Sequence, residues 1–285
     1  MEFNTIGIIG AGIMGSGIVQ VCAAAGHEVV LVDVTDAAVR KGIAAIGSSL
    51  DRAVSKGKLS AVDAASTLER IRGTTDYASL SRCGLVIEAA TENPEIKRRI
   101  LEQVDAIVGP DAIIATNTSS LSITKLAAEI SRPDRFIGMH FFNPVPAMAL
   151  VEVIRGLQTS DITHERVKAL AIRLGKTSVA VKNSPGFAVN RILCPMLNEA
   201  IFVLQEGLTS AEEIDAGMKL GCNHPIGPLA LADMIGLDTL LSVLETFYEG
   251  FSDPKYRPAP LLKEMVDAGR LGRKTGRGFY EYTET

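Results

Sequence analysis

Several features that mark specialised classes of protein are missing from this sequence. Its four cysteines form no C-x-x-C pair, so the sequence indicates neither a disulfide framework nor a zinc knuckle, and we expect no bound metal. The formal net charge is −4, which offers no basic field to nucleic acid or an anionic membrane. No apolar run approaches the ~20 residues of a membrane span, and we expect no secretory leader before the first apolar run. We therefore expect a cytoplasmic protein without nucleic-acid or membrane partners.

What the sequence does contain is an alternation of short apolar runs with helical patterns. With 285 residues and 47% hydrophobic content, the chain can bury a sizeable core. Helical patterns such as 94–108 and 123–130 separate many of the apolar runs, so the sequence predicts a Rossmann-type doubly wound α/β fold with a mainly parallel sheet. The last runs lie close together, which indicates an antiparallel edge. The predicted strands are 6–9, 28–34, 85–87, 112–115, 135–142, 150–154 and 178–181.

The pattern changes after the segment Asn-Ser-Pro-Gly at residues 183–186. Helical spacing of apolar residues dominates from there, in segments 187–205, 210–220, 229–234 and 237–248. A single strand is expected near the end, in the segment GFYEY. We therefore predict two domains, an NAD-binding Rossmann-type domain at 1–183 and an all-helical domain at 184–285 for substrate binding and dimerisation.

A glycine-rich motif, GAGIMG, follows the first predicted strand and opens a helix. The first glycine permits the tight turn, the second lets the backbone approach a pyrophosphate, and the third allows the helix to pack close to the sheet. A purely structural turn is the alternative explanation for such glycines. The residues expected to bind a dinucleotide here are Gly10, Gly12, Ile13, Met14 and Gly15.

Asp33 ends the second predicted strand, 18 residues after Gly15. This spacing is close to the ~20 residues expected of the carboxylate that binds the adenosine ribose. A carboxylate accepts hydrogen bonds from the ribose hydroxyls but repels a 2′-phosphate. The nearest arginine is Arg40, so no guanidinium stands beside Asp33 in sequence. The sequence therefore favours NAD over NADP.

His140 and Glu152 flank a proline-rich break, Pro-Val-Pro at residues 144–146. If the two flanking strands pair about residue 146, the two side chains fall opposite one another. An imidazole beside a carboxylate is suited to proton transfer, because the carboxylate fixes the tautomer and stabilises the imidazolium. The alternative is a hydrogen-bonded core histidine and an unrelated glutamate on an edge strand.

The polar segment 116–120, Thr-Asn-Thr-Ser-Ser, follows a predicted strand directly. Loops at the carboxyl ends of strands face the ligand crevice in open α/β sheets, so Asn117 and Ser119 could orient a ligand. Helix capping by Ser119, Ser120 or Ser122 is the competing interpretation.

With these segments in view, the chain resembles the L-3-hydroxyacyl-CoA dehydrogenase family, particularly the bacterial 3-hydroxybutyryl-CoA dehydrogenases. The resemblance extends from residue 7 to residue 280. It is carried by GAGIMGSGI, IEAATENPEIK, ATNTSSLSI, GMHFFNPVP, LVEVI, NSPGFAVNR, GPLALADMIGLD and GRKTGRGFY.

The resemblance implies a role for each of several residues. His140 is the acid/base and Glu152 its partner. Ser119 hydrogen-bonds the reacting hydroxyl or carbonyl, and Asn190 binds the substrate's oxygens from the side of the helical domain. Ser49 and Lys56, or Lys58 in place of Lys56, contact the CoA moiety, although a solvated helix end would also explain both lysines. The positions implied to line the cofactor cleft are Glu92, Lys97, Asn117, Ser119, Asn143 and Lys274.

By the same resemblance, the expected reaction is NAD-dependent oxidation of (S)-3-hydroxybutyryl-CoA to acetoacetyl-CoA and its reverse, as in fatty acid and butyrate metabolism. A homodimer formed through the helical domain is also implied. Two alternatives stay open at this point. One is a dehydrogenase of a free hydroxy or sugar acid, resembling L-gulonate 3-dehydrogenase and λ-crystallin, and the other is a non-catalytic NAD-binding scaffold.

Overall fold

The computed structural model describes residues 3–282 and divides into two compact units. The first unit is Met1–Ser184 and the second is Pro185–Thr285, so the observed division lies one residue beyond the expected one. The first unit is an α/β structure and the second is helical, in agreement with the predicted fold class.

The first unit is built on one eight-stranded sheet in the order β3-β2-β1-β4-β5-β6-β7-β8. All neighbouring strands are parallel except the β6–β7 pair, so β7 and β8 run opposite to the other six. The predicted antiparallel edge is therefore confirmed. The strands are β1 (Thr5–Ile9), β2 (Glu28–Val32), β3 (Ile71–Thr74), β4 (Leu85–Glu88), β5 (Ile113–Thr116), β6 (Phe136–Phe141), β7 (Leu150–Arg155) and β8 (Thr177–Lys182).

In the described part of the first unit, six α-helices accompany this sheet, and side-chain caps begin most of them. The side chains of Thr35, Ser60, Asn93, Ser122 and Ser160 each accept a hydrogen bond from a backbone N–H of the first turn that follows. The helices are α1 (Ile13–Ala24), α2 (Asp36–Ser55), α3 (Ala61–Glu69), α4 (Pro94–Ile107), α5 (Ile123–Ala127) and α6 (Asp161–Arg173).

Some of these elements escape the sequence pattern. Strand β3 was not predicted, because Arg72 and Gly73 interrupt its apolar run. Gly73 is nevertheless required, since an added Cβ there would collide with Val39 of α2. Helices α2, α3 and α6 were not assigned either, although α2 contains 20 residues.

The second unit consists of five α-helices around a separate apolar core, in the part of the chain that the structure describes. Leu197, Leu229, Leu237 and Phe247 are fully buried in this core. The helices are α7 (Val189–Gln205), α8 (Ala211–Gly221), α9 (Pro228–Ile235), α10 (Leu237–Phe251) and α11 (Pro260–Asp267).

The predicted strand in GFYEY is wrong. Among residues 3–282, Arg277 forms only isolated bridges, and the buried carboxylate of Asp233 holds the segment instead. Asp233 accepts hydrogen bonds from the backbone N–H groups of Phe279 and Tyr280 and from the hydroxyl of Tyr282, each at 3.0 Å. A side chain therefore satisfies backbone donors that a strand partner would otherwise satisfy.

Two structural observations bear on the classes that the composition disfavoured. Within residues 3–282, no helix is long and apolar enough to cross a membrane. The same residues contain no cluster of three or more histidine, cysteine, aspartate or glutamate side chains that could hold a metal ion.

Candidate active site

The glycine-rich turn lies between β1 and α1. The effect of adding a side chain differs among its three glycines. Gly10 has a φ of +102°, and an added Cβ would lie 2.7 Å from the carbonyl oxygen of Ala89. A Cβ at Gly15 would overlap the carbonyl oxygen of Gly10. At Gly12, in contrast, an added Cβ would meet nothing within 4 Å. A structural turn therefore accounts for Gly10 and Gly15, whereas Gly12 keeps space open above the turn.

The carboxylate of Asp33 is tied directly to this turn. One oxygen accepts a hydrogen bond from the Ala11 N–H at 2.6 Å, and the other accepts from the Val34 N–H at 2.6 Å. Ile13 is 77% exposed at the first turn of α1, whereas Met14 is half-buried against the core. The anionic group and the glycine-rich backbone therefore form one unit.

A cavity of about 560 Å³ opens beside the turn. It is bordered by the glycine-rich turn, by one face of α2 and by the loop that follows β6. Six predicted site residues line it, namely Gly10, Gly12, Ile13, Asp33, Ser49 and Asn143. Its size and its glycine-lined floor are suited to a nucleotide, because backbone N–H groups at a helix N-terminus bind phosphate.

The cavity also reveals two cations that the sequence reasoning missed. Lys41 and Arg52 line it together with Ser49. The three residues lie at i, i+8 and i+11 on α2, a spacing that places them along one helix face. The spacing is visible in the sequence, but it indicates a shared face only if the segment is known to be a helix. Lys56 follows α2 as its C-cap, one turn beyond Arg52, and both Lys56 and Lys58 are exposed.

A buried polar cluster lies at the carboxyl ends of β4 and β5. The Lys97 ammonium is 1% exposed and pairs with the Glu88 carboxylate. Lys97 also donates to the Thr116 hydroxyl at 3.1 Å, and that hydroxyl donates to Glu88 at 2.7 Å. The other Glu88 oxygen accepts from the Ala90 N–H at 2.9 Å. Lys97 thus links the carboxyl ends of β4 and β5. Its contact with the cofactor stays a prediction.

Glu92 organises the loop that follows β5. Its carboxylate accepts hydrogen bonds from the Thr118 hydroxyl at 2.6 Å and from the Ser119 N–H at 2.9 Å. Asn117, which is 9% exposed, accepts a hydrogen bond at its side-chain oxygen from the Phe141 N–H at 2.9 Å. The capping alternative is confirmed for Ser122, which caps α5, while Ser119 is bound to Glu92 instead.

His140 and Glu152 face each other across β6 and β7. The register pairs them directly, as the spacing about the proline-rich turn predicted, and this expectation is confirmed. His140 Nδ1 lies 2.8 Å from a carboxylate oxygen of Glu152. Glu152 is fully buried and His140 is 6% exposed. The structure thus brings an imidazole and a carboxylate together in a site where bulk water does not screen them.

The two remaining predicted residues belong to the second unit. Asn190 is half-buried at the second position of α7. Lys274 is exposed, and its ammonium lies 2.6 Å from both carboxylate oxygens of Asp238. The Lys274 ammonium holds the pKa of the Asp238 carboxyl below its usual value.

Comparisons with known proteins show which family the chain is similar to. Residues 5–184 match the family model of the NAD-binding domain of 3-hydroxyacyl-CoA dehydrogenase, and residues 186–282 match that of its C-terminal domain. A 3-hydroxybutyryl-CoA dehydrogenase of Bradyrhizobium diazoefficiens is 52% identical over 277 residues, covering 97% of this chain and 94% of that protein. One from Clostridioides difficile is 49% identical over 279 residues, covering 98% and 99%.

A solved structure is similar throughout. The crystal structure of (S)-3-hydroxybutyryl-CoA dehydrogenase from Ralstonia eutropha matches with a TM-score of 0.98 and 66% sequence identity. The match covers 99% of this chain and 100% of that one.

Gly12 and Gly15 provide a test of the dinucleotide site. Gly12→Ala should leave the melting temperature unchanged, because Gly12 has a φ of −71° and open space around it. It should raise the dissociation constant of NADH at least ~10-fold, since the methyl group occupies the space above the turn. Gly15→Ala should instead lower the free energy of unfolding by roughly 1–3 kcal/mol through overpacking.

Thermal denaturation followed by circular dichroism and NADH fluorescence titration measure the two effects. Unchanged NADH affinity in folded Gly12→Ala would contradict the assignment and leave a purely structural turn.

Proposed function

Because the chain belongs to the 3-hydroxyacyl-CoA dehydrogenase family, we propose that it interconverts (S)-3-hydroxybutyryl-CoA and acetoacetyl-CoA with NAD. The observation that carries the proposal is the buried His140–Glu152 pair. His140 lies near the carboxyl end of β6, and the glycine-rich turn follows the carboxyl end of the parallel strand β1. Proton transfer by such a pair is what oxidation of a hydroxyl group requires.

Asp33 and the glycine-rich turn hold NAD in this proposal. The cavity beside the turn fits the cofactor, because it is floored by Gly12 and bordered by the carboxylate of Asp33. When bound, NAD supplies the acceptor for the hydride that leaves C3 of the substrate.

His140 moves the proton. Glu152, as a carboxylate, accepts a hydrogen bond from the Nδ1–H tautomer of His140, so Nε2 is the nitrogen that exchanges a proton. In oxidation, neutral His140 removes the hydroxyl proton of the substrate, and Glu152 stabilises the imidazolium that forms. In reduction, the imidazolium returns the proton to the 3-oxo group.

Ser119 orients the reacting oxygen. The Ser119 N–H is anchored by Glu92, so the loop that carries the hydroxyl is held before substrate binds. The proposed role of Asn190, binding of substrate oxygens, rests on the family resemblance alone. A homodimer through the second unit and a cytoplasmic location also stay predictions.

The α2 face and its C-terminal end are proposed to bind the phosphates of CoA. Arg52 and Ser49 line the cavity, and Lys56 lies one turn beyond Arg52. The cations attract phosphate, and Ser49 adds a hydroxyl donor. Arg52 is thereby added to the predicted pair of lysines.

The substrate assignment is tested by the oxidation of NADH. Acetoacetyl-CoA should be reduced rapidly, whereas free acetoacetate should be reduced at least ~100-fold more slowly in kcat/KM, because it lacks the binding energy of CoA. Absorbance at the NADH band measures both rates. Equal rates with free acetoacetate would favour a free hydroxy acid dehydrogenase, and tight NADH binding without turnover of either would favour a non-catalytic scaffold.

The acid/base pair is tested by a double-mutant cycle. His140→Gln should lower kcat by roughly 10²–10⁴ with NADH binding unchanged, because glutamine cannot shuttle a proton. Glu152→Gln should also slow turnover, since an amide stabilises imidazolium less well than a carboxylate. The double variant should lose far less than the product of both losses, because the residues act as one unit. Losses that simply multiply would show two independent roles.

The CoA cations are tested with two thioesters. Arg52→Ala, Lys56→Ala and Lys58→Ala should identify the phosphate ligands by raising the KM for acetoacetyl-CoA roughly 3–10-fold at low salt, with the effect fading as salt increases. The acetoacetyl thioester of N-acetylcysteamine has no phosphates, so its KM should not change. Lys168→Ala, a change at a half-buried lysine on α6 that pairs with Glu165, is the control. If none of the three variants alters the KM at low salt, the assignment is wrong.

A further inference from the structure

Lys176 carries a buried ammonium group that the proposed chemistry does not use. The residue is 8% exposed and precedes β8. Its Nζ donates hydrogen bonds to the carbonyl oxygens of Val145 at 2.6 Å and Met148 at 2.7 Å. Both acceptors are neutral, and burial lowers the pKa of Lys176 from its ordinary value. Removing an ammonium from water is costly, and the two charge-assisted hydrogen bonds offset part of that cost.

The turn between β6 and β7 has more backbone acceptors than backbone donors. Pro144 and Pro146 have no backbone N–H, so the turn is rich in carbonyl acceptors and poor in donors. Within the turn, the Pro144 carbonyl accepts from the N–H groups of Ala147 and Met148, each at 3.0 Å. The carbonyls of Val145 and Met148 take their hydrogen bonds from Lys176. A donor from outside the turn thus completes it.

The backbone beside Lys176 strengthens the same attachment. The N–H of Thr177 donates to the carbonyl of Ala149 at 2.6 Å. The segment that begins β8 therefore holds three carbonyls of the turn, at Val145, Met148 and Ala149. The turn cannot move toward or away from the sheet without breaking these bonds.

On its other side the turn contacts α1, the helix that follows the glycine-rich turn. Val145 is 2% exposed and packs against α1 where Gly17 has no side chain. A Cβ added at Gly17 would lie 2.7 Å from Val145 Cβ. The turn is thus held between α1 and Lys176, and four of its residues, 143–146, line the 560 Å³ cavity.

The position of the turn also determines the geometry of the acid/base pair. The turn joins the two strands whose register places His140 opposite Glu152. A shift of its backbone would change both the cavity wall and the approach of the two strands. Misplacement of catalytic groups by about 1 Å can cost ~10²-fold in rate.

We propose that Lys176 is a positioning residue that fixes the turn at residues 143–149, and through it the cavity wall and the His140–Glu152 pair. Its effect on turnover rests on the proposed function. Its effect on cofactor binding is independent of which substrate is reduced.

The test compares Lys176→Met, which removes both donors at similar length, with Lys176→Arg, which keeps a charged donor. Lys176→Met should lower kcat roughly 10–100-fold and raise the dissociation constant of NADH about 3–10-fold, measured well below the melting temperature on folded protein. Lys176→Arg should recover most of the loss in kcat. Lys168→Met, on the neighbouring α6, should behave as wild type.

A cycle with His140→Gln separates positioning from general stability. If Lys176 acts through His140, Lys176→Met should lower kcat only a few-fold in the His140→Gln background. A kcat loss of undiminished size in that background would overturn the proposal, as would wild-type kcat and NADH affinity in Lys176→Met. If Lys176→Met does not fold, Lys176→Gln replaces it and is judged by the same values.

The two proposals can fail separately. Wild-type protein is first assayed with acetoacetyl-CoA, and an absence of turnover refutes the proposed function. In that case the NADH dissociation constant decides the role of Lys176, because the turn lines the cavity regardless of substrate. An unchanged dissociation constant in Lys176→Met would then refute the positioning role.

Discussion

The hydrogen bonds of the buried Glu88 carboxylate hold together the carboxyl ends of β4 and β5, and the rest of the candidate site is built on these strand ends. The Glu88 side chain accepts from Lys97, Thr116 and Ala90, and its backbone carbonyl accepts from the Asn117 N–H at 2.7 Å. One residue at the end of β4 therefore holds the chain where it leaves both β4 and β5. A buried carboxylate is costly without compensation, and here an ammonium and two neutral donors satisfy it.

From the carboxyl ends of these strands, a series of polar side chains leads to the His140–Glu152 pair. The last paired residues of β5 and β6 are Thr116 and Gly138. Asn117 extends the connection by accepting from the Phe141 N–H, one residue beyond His140. The side chain of Asn117 thus continues the β5–β6 ladder beyond its last backbone pair. This link fixes the backbone next to His140, and Glu152 holds the imidazole itself.

The parts of the site that sequence could predict are those determined by short-range spacing. His140 and Glu152 are equidistant from a proline-rich turn, so their register followed from counting. The glycine turn and Asp33 belong to one strand–helix–strand unit.

The Glu88–Lys97–Thr116 cluster could not be predicted, because it joins three separate elements and no regular spacing relates its members. Arg52 was missed because α2 was not assigned, and the strand near the C-terminus was wrong because Asp233, from a distant helix, satisfies its backbone donors.

The attachment of Asp33 to the glycine turn has a consequence for cofactor selectivity. Its two oxygens are each held by a backbone N–H at 2.6 Å, yet each oxygen retains lone pairs for a further donor. Ribose hydroxyls can therefore add to a carboxylate that is already oriented, without any rearrangement. A 2′-phosphate meets the opposite situation, because a tethered carboxylate cannot rotate away to relieve the repulsion. In the proposed NAD site, the immobility of Asp33 would contribute to discrimination against NADP as much as its charge, so a more mobile aspartate in the same place would distinguish the two cofactors less well.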